Sequence, residues 1–202
     1  MSVQYPDKRV RRTIENFKKT LLSIMETKNF EDITITEIVN VADYNRGTFY
    51  AHYEQKTDLL DEIIEDMFED MEESFRKPYR DLTEVDFKNL SPDSIVLFDH
   101  FLKNQDLYKL MLSSNTNYNF REKMTDRLDQ LFRGDFEFSV SEIDPNIDIN
   151  LFSTYRIHGI IGLILEWIDN DFKQSPSYMG DQLIHILSFY TLKIYIKKDS
   201  LA

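Results

Sequence analysis

Apolar residues recur every three or four positions along most of this chain, and no long stretch alternates with period two. Val10, Ile14, Phe17, Leu21 and Ile24 set one stripe and predict an amphipathic helix over about 8–27. "TITE" (34–37) has the form of a capping box, with Thr34 as N-cap and Glu37 three residues on, and opens a short helix to Ala42. Asp43 and Tyr44 form a turn, and an aspartate tolerates left-handed backbone better than most residues. Asn45 is a suitable N-cap for a third short helix ending near Tyr53. A fourth starts near Lys56 and buries Leu60, Ile63, Ile64, Met67, Phe68 and Met71 before Pro78 stops it.

Beyond it "KPYRDLTEVDFKNL" (77–90) reads as a linker. Helices are expected at about 92–103, 105–113, 117–138, 149–171 and 176–197, two of them opening with Ser-Pro. The pattern predicts an all-α chain of about nine helices. Its domains are expected at 1–56 and 78–202, joined by a helix over about 56–77. Five glycines and five prolines in 202 residues agree with few turns.

There is no cysteine, which excludes disulfides, thiolate catalysis and cysteine-bound zinc. The start "MSVQYPDKRVRR" lacks an apolar signal core. The longest apolar run, "IHGIIGLILEWI" (157–168), contains Glu166 and is too short to span a bilayer. A cytoplasmic protein without membrane contact is expected. Net charge is −12, but it is unevenly spread. Residues 1–56 hold nine Lys/Arg and eight Asp/Glu, whereas 57–202 hold fifteen and twenty-eight. Lys8, Arg9, Arg11 and Arg12 cluster in the first segment, so only that segment suits a polyanion.

Two short helices around a tight turn, after an amphipathic helix, fit a helix-turn-helix. "NRGTFYAHY" (45–53) then acquires a chemical sense. A glycine inside a helix costs about 1 kcal/mol relative to alanine. Gly47 is explained if a phosphate backbone passes close to the helix start. Thr48, Tyr50 and His52 carry side-chain donors for phosphate, and Phe49 and Tyr53 face back into the core.

Residues 10–60 resemble the DNA-binding domain of the tetracycline-repressor (TetR) family of transcriptional regulators. The family's pattern runs A-G-V-S-x-G-T-L-Y-x-H-F, then K-x-x-L-L. Here it reads Ala42-Asp43-Tyr44-Asn45-Arg46-Gly47-Thr48-Phe49-Tyr50-Ala51-His52-Tyr53, then Lys56, Leu59 and Leu60. Asp43, Tyr44 and Asn45 replace the usual glycine, valine and serine, and no phosphate donor is lost.

The resemblance implies phosphate contacts from Thr34, Thr48, Tyr50, His52 and Lys56, and base contacts from Asn45, Arg46 and Ala51, with Thr36 as a further candidate on the second helix. Arginine to guanine and a methyl to thymine are the chemistry available. It also implies a homodimer that binds a double-stranded operator. The last two helices would pair with the partner's copies, and Gly159 and Gly162 would allow close approach. A small-molecule effector in the second domain would weaken DNA binding.

Pocket candidates in that domain are Phe98, Phe101, Tyr108, Tyr155, His158 and Trp167, although core packing uses the same residue types. His158 also fits a core or dimer-seam histidine satisfied by a neighbour. His100, His158 and His185 lack any metal-ligand spacing, so no metal is expected. No phosphate-cradling glycine loop, G-x-S-x-G or Cys–His pair is present, so neither an enzyme nor a cofactor is expected. The rival reading is a protein-interaction module or co-activator of the same fold with weak or lost DNA binding.

Overall fold

The computed structural model describes residues 8–80, 91–92, 95–114, 116, 119–135 and 146–188. Among them lie nine α-helices and no strand. They are α1 (Lys8–Met25), α2 (Ile35–Val41), α3 (Arg46–Tyr50), α4 (Lys56–Arg76), α5 (Val96–Lys103), α6 (Gln105–Leu112), α7 (Phe120–Asp135), α8 (Ile149–Asp169) and α9 (Pro176–Ser188). Short 3-10 turns cover Phe30–Asp32 and Lys77–Tyr79.

The first three helices pack around a group of aromatic rings. Phe17 and Phe49 are fully buried, with their rings edge to face at 5.5 Å, and Tyr44 and Tyr53 pack around them. α4 then serves both halves. Leu59, Leu60, Met71 and Phe75 are all buried in one continuous core that runs from α1 to α9. α4 packs on α1 at one end and on α5 and α7 further along. Polar links reinforce both contacts. Lys18 of α1 reaches Glu62 and Asp66 at 2.7 and 2.6 Å, and Lys123 and Arg127 of α7 reach Asp61 and Glu65 at 2.7 and 2.8 Å.

Several boundaries differ from the periodicity. α3 ends at Tyr50 rather than near Tyr53, with Ala51 as its C-cap. Pro92 does not open α5: its carbonyl accepts from Ile95 N at 3.1 Å, and the regular helix starts at Val96. Lys77–Tyr79 extends α4 as a 3-10 turn, so the expected linker is partly helical, and 81–90 lie outside the described residues. α8 stops at Asp169 because Asp171 and Phe172 take left-handed backbone and Phe172 N bonds back to Trp167 O at 3.0 Å. The ends expected for the helices over 117–138 and 176–197 lie outside the described residues.

Candidate nucleic-acid interface

The turn between α2 and α3 is built from inside. Val39 and Ala42 are buried, and Asp43 adopts φ 59°. Tyr44 N donates to Val39 O at 2.9 Å, which closes the end of α2. Asn16 of α1 pins the same turn by donating Nδ2 to Ala42 O at 3.2 Å. Periodicity gave no sign of that contact, because Asn16 reads only as a polar position beside the apolar stripe.

Asn45 caps α3. Its Oδ1 accepts the Thr48 backbone N–H at 2.8 Å and the Thr48 hydroxyl at 3.2 Å. A Cβ on Gly47 would stand 3.1 Å from that same oxygen. The glycine thus leaves room for its own helix's cap, besides any approach of a phosphate. Phe49 anchors the helix from below. On the opposite side Asn45, Arg46, Gly47, Tyr50 and Ala51 are exposed, with Thr48 and His52 half-buried. Although α3 is short, Ala51 remains in the αR region, and His52 N and Tyr53 N both bond to Phe49 O at 3.0 Å. The candidate residues therefore continue one helical surface.

Arg46 does not extend freely into solvent. Its Nη2 donates to the Tyr50 hydroxyl at 3.1 Å, and its Cζ lies 5.7 Å from the Tyr50 ring centroid. The guanidinium is held over the exposed face and keeps other N–H groups for a base edge.

On α2, Thr34 accepts from Glu37 N at 3.2 Å, as an N-cap should, and Thr36 is exposed. Only this half of the expected capping box is seen. The Glu37 carboxylate turns to Lys28 Nζ at 2.7 Å, and that bond holds its pKa below the usual carboxylate range.

Lys56 requires a correction. Its Nζ donates to the carbonyls of Phe30, Glu31 and Ile33, each at 2.7 Å, and sits 4.7 Å from the Phe30 ring centroid. An ammonium has three N–H donors, and all three are used. Lys56 clips the Phe30–Asp32 turn to the start of α4 and has none left for a phosphate. Burial lowers its pKa, with Asp32 and Glu31 acting in the opposite direction. The start of α4 is also capped by Asp58, which accepts from Glu54 N and Gln55 N at 2.9 Å each.

The pocket candidates of the second domain separate. Phe98 lies on the wall of an apolar cavity of about 50 Å³, with Phe75, Tyr79, Phe132, Ile164 and Leu183. Phe101, Tyr108 and Trp167 are buried in side-chain packing and do not line it. Tyr155 and His158 lie elsewhere. Tyr155 is 76% exposed, and His158 stands on the same outward side of α8, 3.5 Å from Asp129. Neither lines the cavity, because α8 turns Ile157, Ile161 and Ile164 inward instead. Gly159 and Gly162 share the outward stripe with Leu151 and Tyr155, and nothing lies within 4 Å of a Cβ built on either glycine.

Unforeseen was the setting of His100. It is buried between α4, α5 and α6, with Nε2 2.9 Å from the Tyr108 hydroxyl and Nδ1 3.2 Å from Asp70. No described helix is long and apolar enough to cross a membrane.

Residues 88–189 match the family described as "Transcriptional regulator C-terminal region" of the TetR type. An uncharacterized HTH-type transcriptional regulator, YxbF of Bacillus subtilis strain 168, is 22% identical over 181 residues. That alignment covers 87% of this chain and 45% of the relative, so this chain spans less than half the relative's length. Among solved structures, a TetR transcriptional regulator from Streptococcus agalactiae 2603V superposes with a TM-score of 0.59 at 20% identity, covering 90% of this chain and 96% of that one. A putative TetR-family regulator from Syntrophomonas wolfei gives 0.62 at 16%, covering 88% and 94%. The dihydroxyacetone kinase operon activator DhaS gives 0.56 at 17%, covering 87% and 94%.

Proposed function

This chain belongs to the TetR family of transcriptional regulators, and on that premise we propose that it is a homodimeric, sequence-specific DNA-binding repressor released from its operator by a small-molecule effector. The observation that carries the reading is α3 itself. A helix too short to be stable alone is capped by Asn45, anchored by Phe49 and left exposed along Arg46, Gly47 and Tyr50. Such expense of local structure on a five-residue helix suits a surface that must enter a groove in one orientation. Arg46 and Asn45 read base edges, Ala51 offers a methyl to thymine, and Thr34, Thr36, Tyr50 and His52 hold the phosphates, joined by Thr48 once its hydroxyl turns from Asn45 Oδ1 to the DNA.

Dimerisation is supported by the outward stripe of α8, where Leu151 is 71% exposed, and by exposed Tyr178 and Ile186 on α9. One short reading helix contacts few bases, and a two-fold dimer reads two half-sites. The apolar cavity beside Phe75 and Tyr79, at the end of α4, holds only about 50 Å³, so an effector that acts through that helix has to widen it to the roughly 300–1,000 Å³ of a ligand pocket.

The test is a gel shift with the intergenic DNA upstream of the gene. Arg46→Ala should bring binding to operator and scrambled duplexes together, a loss of about 1–3 kcal/mol of discrimination. An unchanged ratio removes Arg46 from the reading set. Absence of any shift would favour the protein-interaction reading. Gly162→Glu should yield monomers by light scattering with sharply weakened operator binding, and wild-type chain that scatters as a monomer at micromolar concentration refutes the dimer.

A further inference from the structure

Many of the described cations in this acidic chain have a carboxylate at hand. Lys18 has Glu62 and Asp66, Lys28 has Glu37, Arg121 has Asp169, and Lys123 has Asp61. Arg12 and Lys19 of α1 are exceptions: among the described residues neither side chain makes an ion pair or a hydrogen bond. Acids outnumber bases by 36 to 24, so cations left unmatched are not a product of scarcity.

Arg12 and Lys19 line one cleft of about 570 Å³, together with Arg9, Asn16, Glu15 and Tyr44. Three cations stand there against one carboxylate, and Glu15 already faces Arg11 at 3.6 Å. The cleft's place is as informative as its charge. Tyr44 immediately precedes Asn45, the cap of α3, and Asn16 holds the turn between α2 and α3 through Ala42 O. The cleft therefore opens beside the start of the helix read above as entering the major groove. A helix in that groove has a phosphate backbone on each side, and the protein surface flanking its N-terminus meets one of them.

We propose that this cleft on α1 seats a backbone phosphodiester of duplex DNA, adding a non-sequence-specific anchor outside the helix-turn-helix. Arg12 supplies a forked guanidinium and Lys19 a compact point charge. Tyr44 offers a neutral hydroxyl. The inference rests on the DNA-binding reading and extends its footprint to residues absent from the family's motif.

The full chain is tested as wild type, Arg12→Gln, Lys19→Gln, the double variant and Lys173→Gln, an exposed lysine of the second domain. Each is titrated against the upstream intergenic duplex and an unrelated duplex over a series of NaCl concentrations. Arg12→Gln and Lys19→Gln should each flatten the slope of log K against log salt by about 0.9, and the double variant by about twice that. The ratio between the two duplexes should not move, and melting temperature should stay at the wild-type value because both side chains are exposed. Lys173→Gln should leave the slope alone. If it flattens the slope as much as Arg12→Gln, the effect is net charge and the cleft is refuted. A double variant with the wild-type slope refutes the cleft while leaving the DNA-binding reading intact. Wild type that binds neither duplex overturns both.

Discussion

The Tyr53 hydroxyl, just past α3, donates to Glu62 of α4 at 2.7 Å. The same carboxylate takes Lys18 of α1 at 2.7 Å. Glu62 therefore joins the reading unit to the helix that continues into the second domain. Both partners are largely shielded, so the links are stronger than exposed pairs. Glu62→Gln keeps an acceptor for Tyr53 but no charge for Lys18. It should lower stability by about 1–2 kcal/mol, read from the urea midpoint. A midpoint equal to wild type would show that Asp66 alone suffices for Lys18.

Lys56→Met should act on folding rather than on DNA. Three carbonyls lose a charged donor while the aliphatic stem is kept. A loss of about 2–4 kcal/mol is expected, given about 1.5–3 for a single bond to a charged group and the sharing of one ammonium. The salt dependence of DNA binding should match wild type once the variant is folded. A fully stable variant with a flattened salt slope would return Lys56 to the phosphate-binding set.

Gly47→Ala sets two effects of similar size against each other. Alanine favours the helix by about 1 kcal/mol over glycine. Its Cβ would meet Asn45 Oδ1 at 3.1 Å and disturb a cap worth about 1 kcal/mol. Melting temperature should therefore move little, while affinity for the intergenic duplex falls at least about tenfold, because the surface facing the backbone grows by a methyl. Equal affinity would mean that the glycine serves only the cap.

Gly180→Ala has no such balance. The new Cβ would lie 2.7 Å from Pro92 O and 3.3 Å from its carbonyl carbon, both backbone atoms. α9 or the Pro92 turn must shift. A destabilisation of about 1–3 kcal/mol is expected, and each kcal/mol lowers the melting temperature by about 2–4 °C in a chain of this size. An unaltered melting curve would show that this contact yields freely.

His100 gives stability a pH dependence. Burial lowers its pKa below the ordinary 6.5, Asp70 opposes that shift, and Lys103 adds to it. Ser74, Asn104 and Tyr108 are the other polar groups around the ring. The unfolded chain thus takes up the proton at higher pH than the folded one. The contribution is fully present above pH 6.5 and is lost as pH falls through the folded pKa. Urea midpoints should drop on this acid side in wild type and drop less in His100→Gln. Parallel curves would place the titrating group elsewhere.

Local physics made the first quarter of the chain legible. The 3.6-residue stripe of α1, the Thr34 and Asn45 caps and the left-handed Asp43 each depend on atoms within a few residues, as does the order of donors along 45–53. The all-α architecture follows from the same local regularity, whereas the family is seen in the ordered residues of 42–60 and in the match over 88–189. Long-range geometry decided the rest. The ammonium of Lys56 is claimed by carbonyls 23 to 26 residues upstream, which no spacing rule connects to it. α8 is apolar on nearly every side, so periodicity could not say that Tyr155 and His158 would face outward while Ile157 and Ile161 faced in. Phe98 borders the cavity and Phe101 does not, a distinction set by where five helices meet. Charge count alone shows an acidic chain. Only packing shows which cations find carboxylates and that Arg12 and Lys19, among the described residues, are left facing outward beside α3.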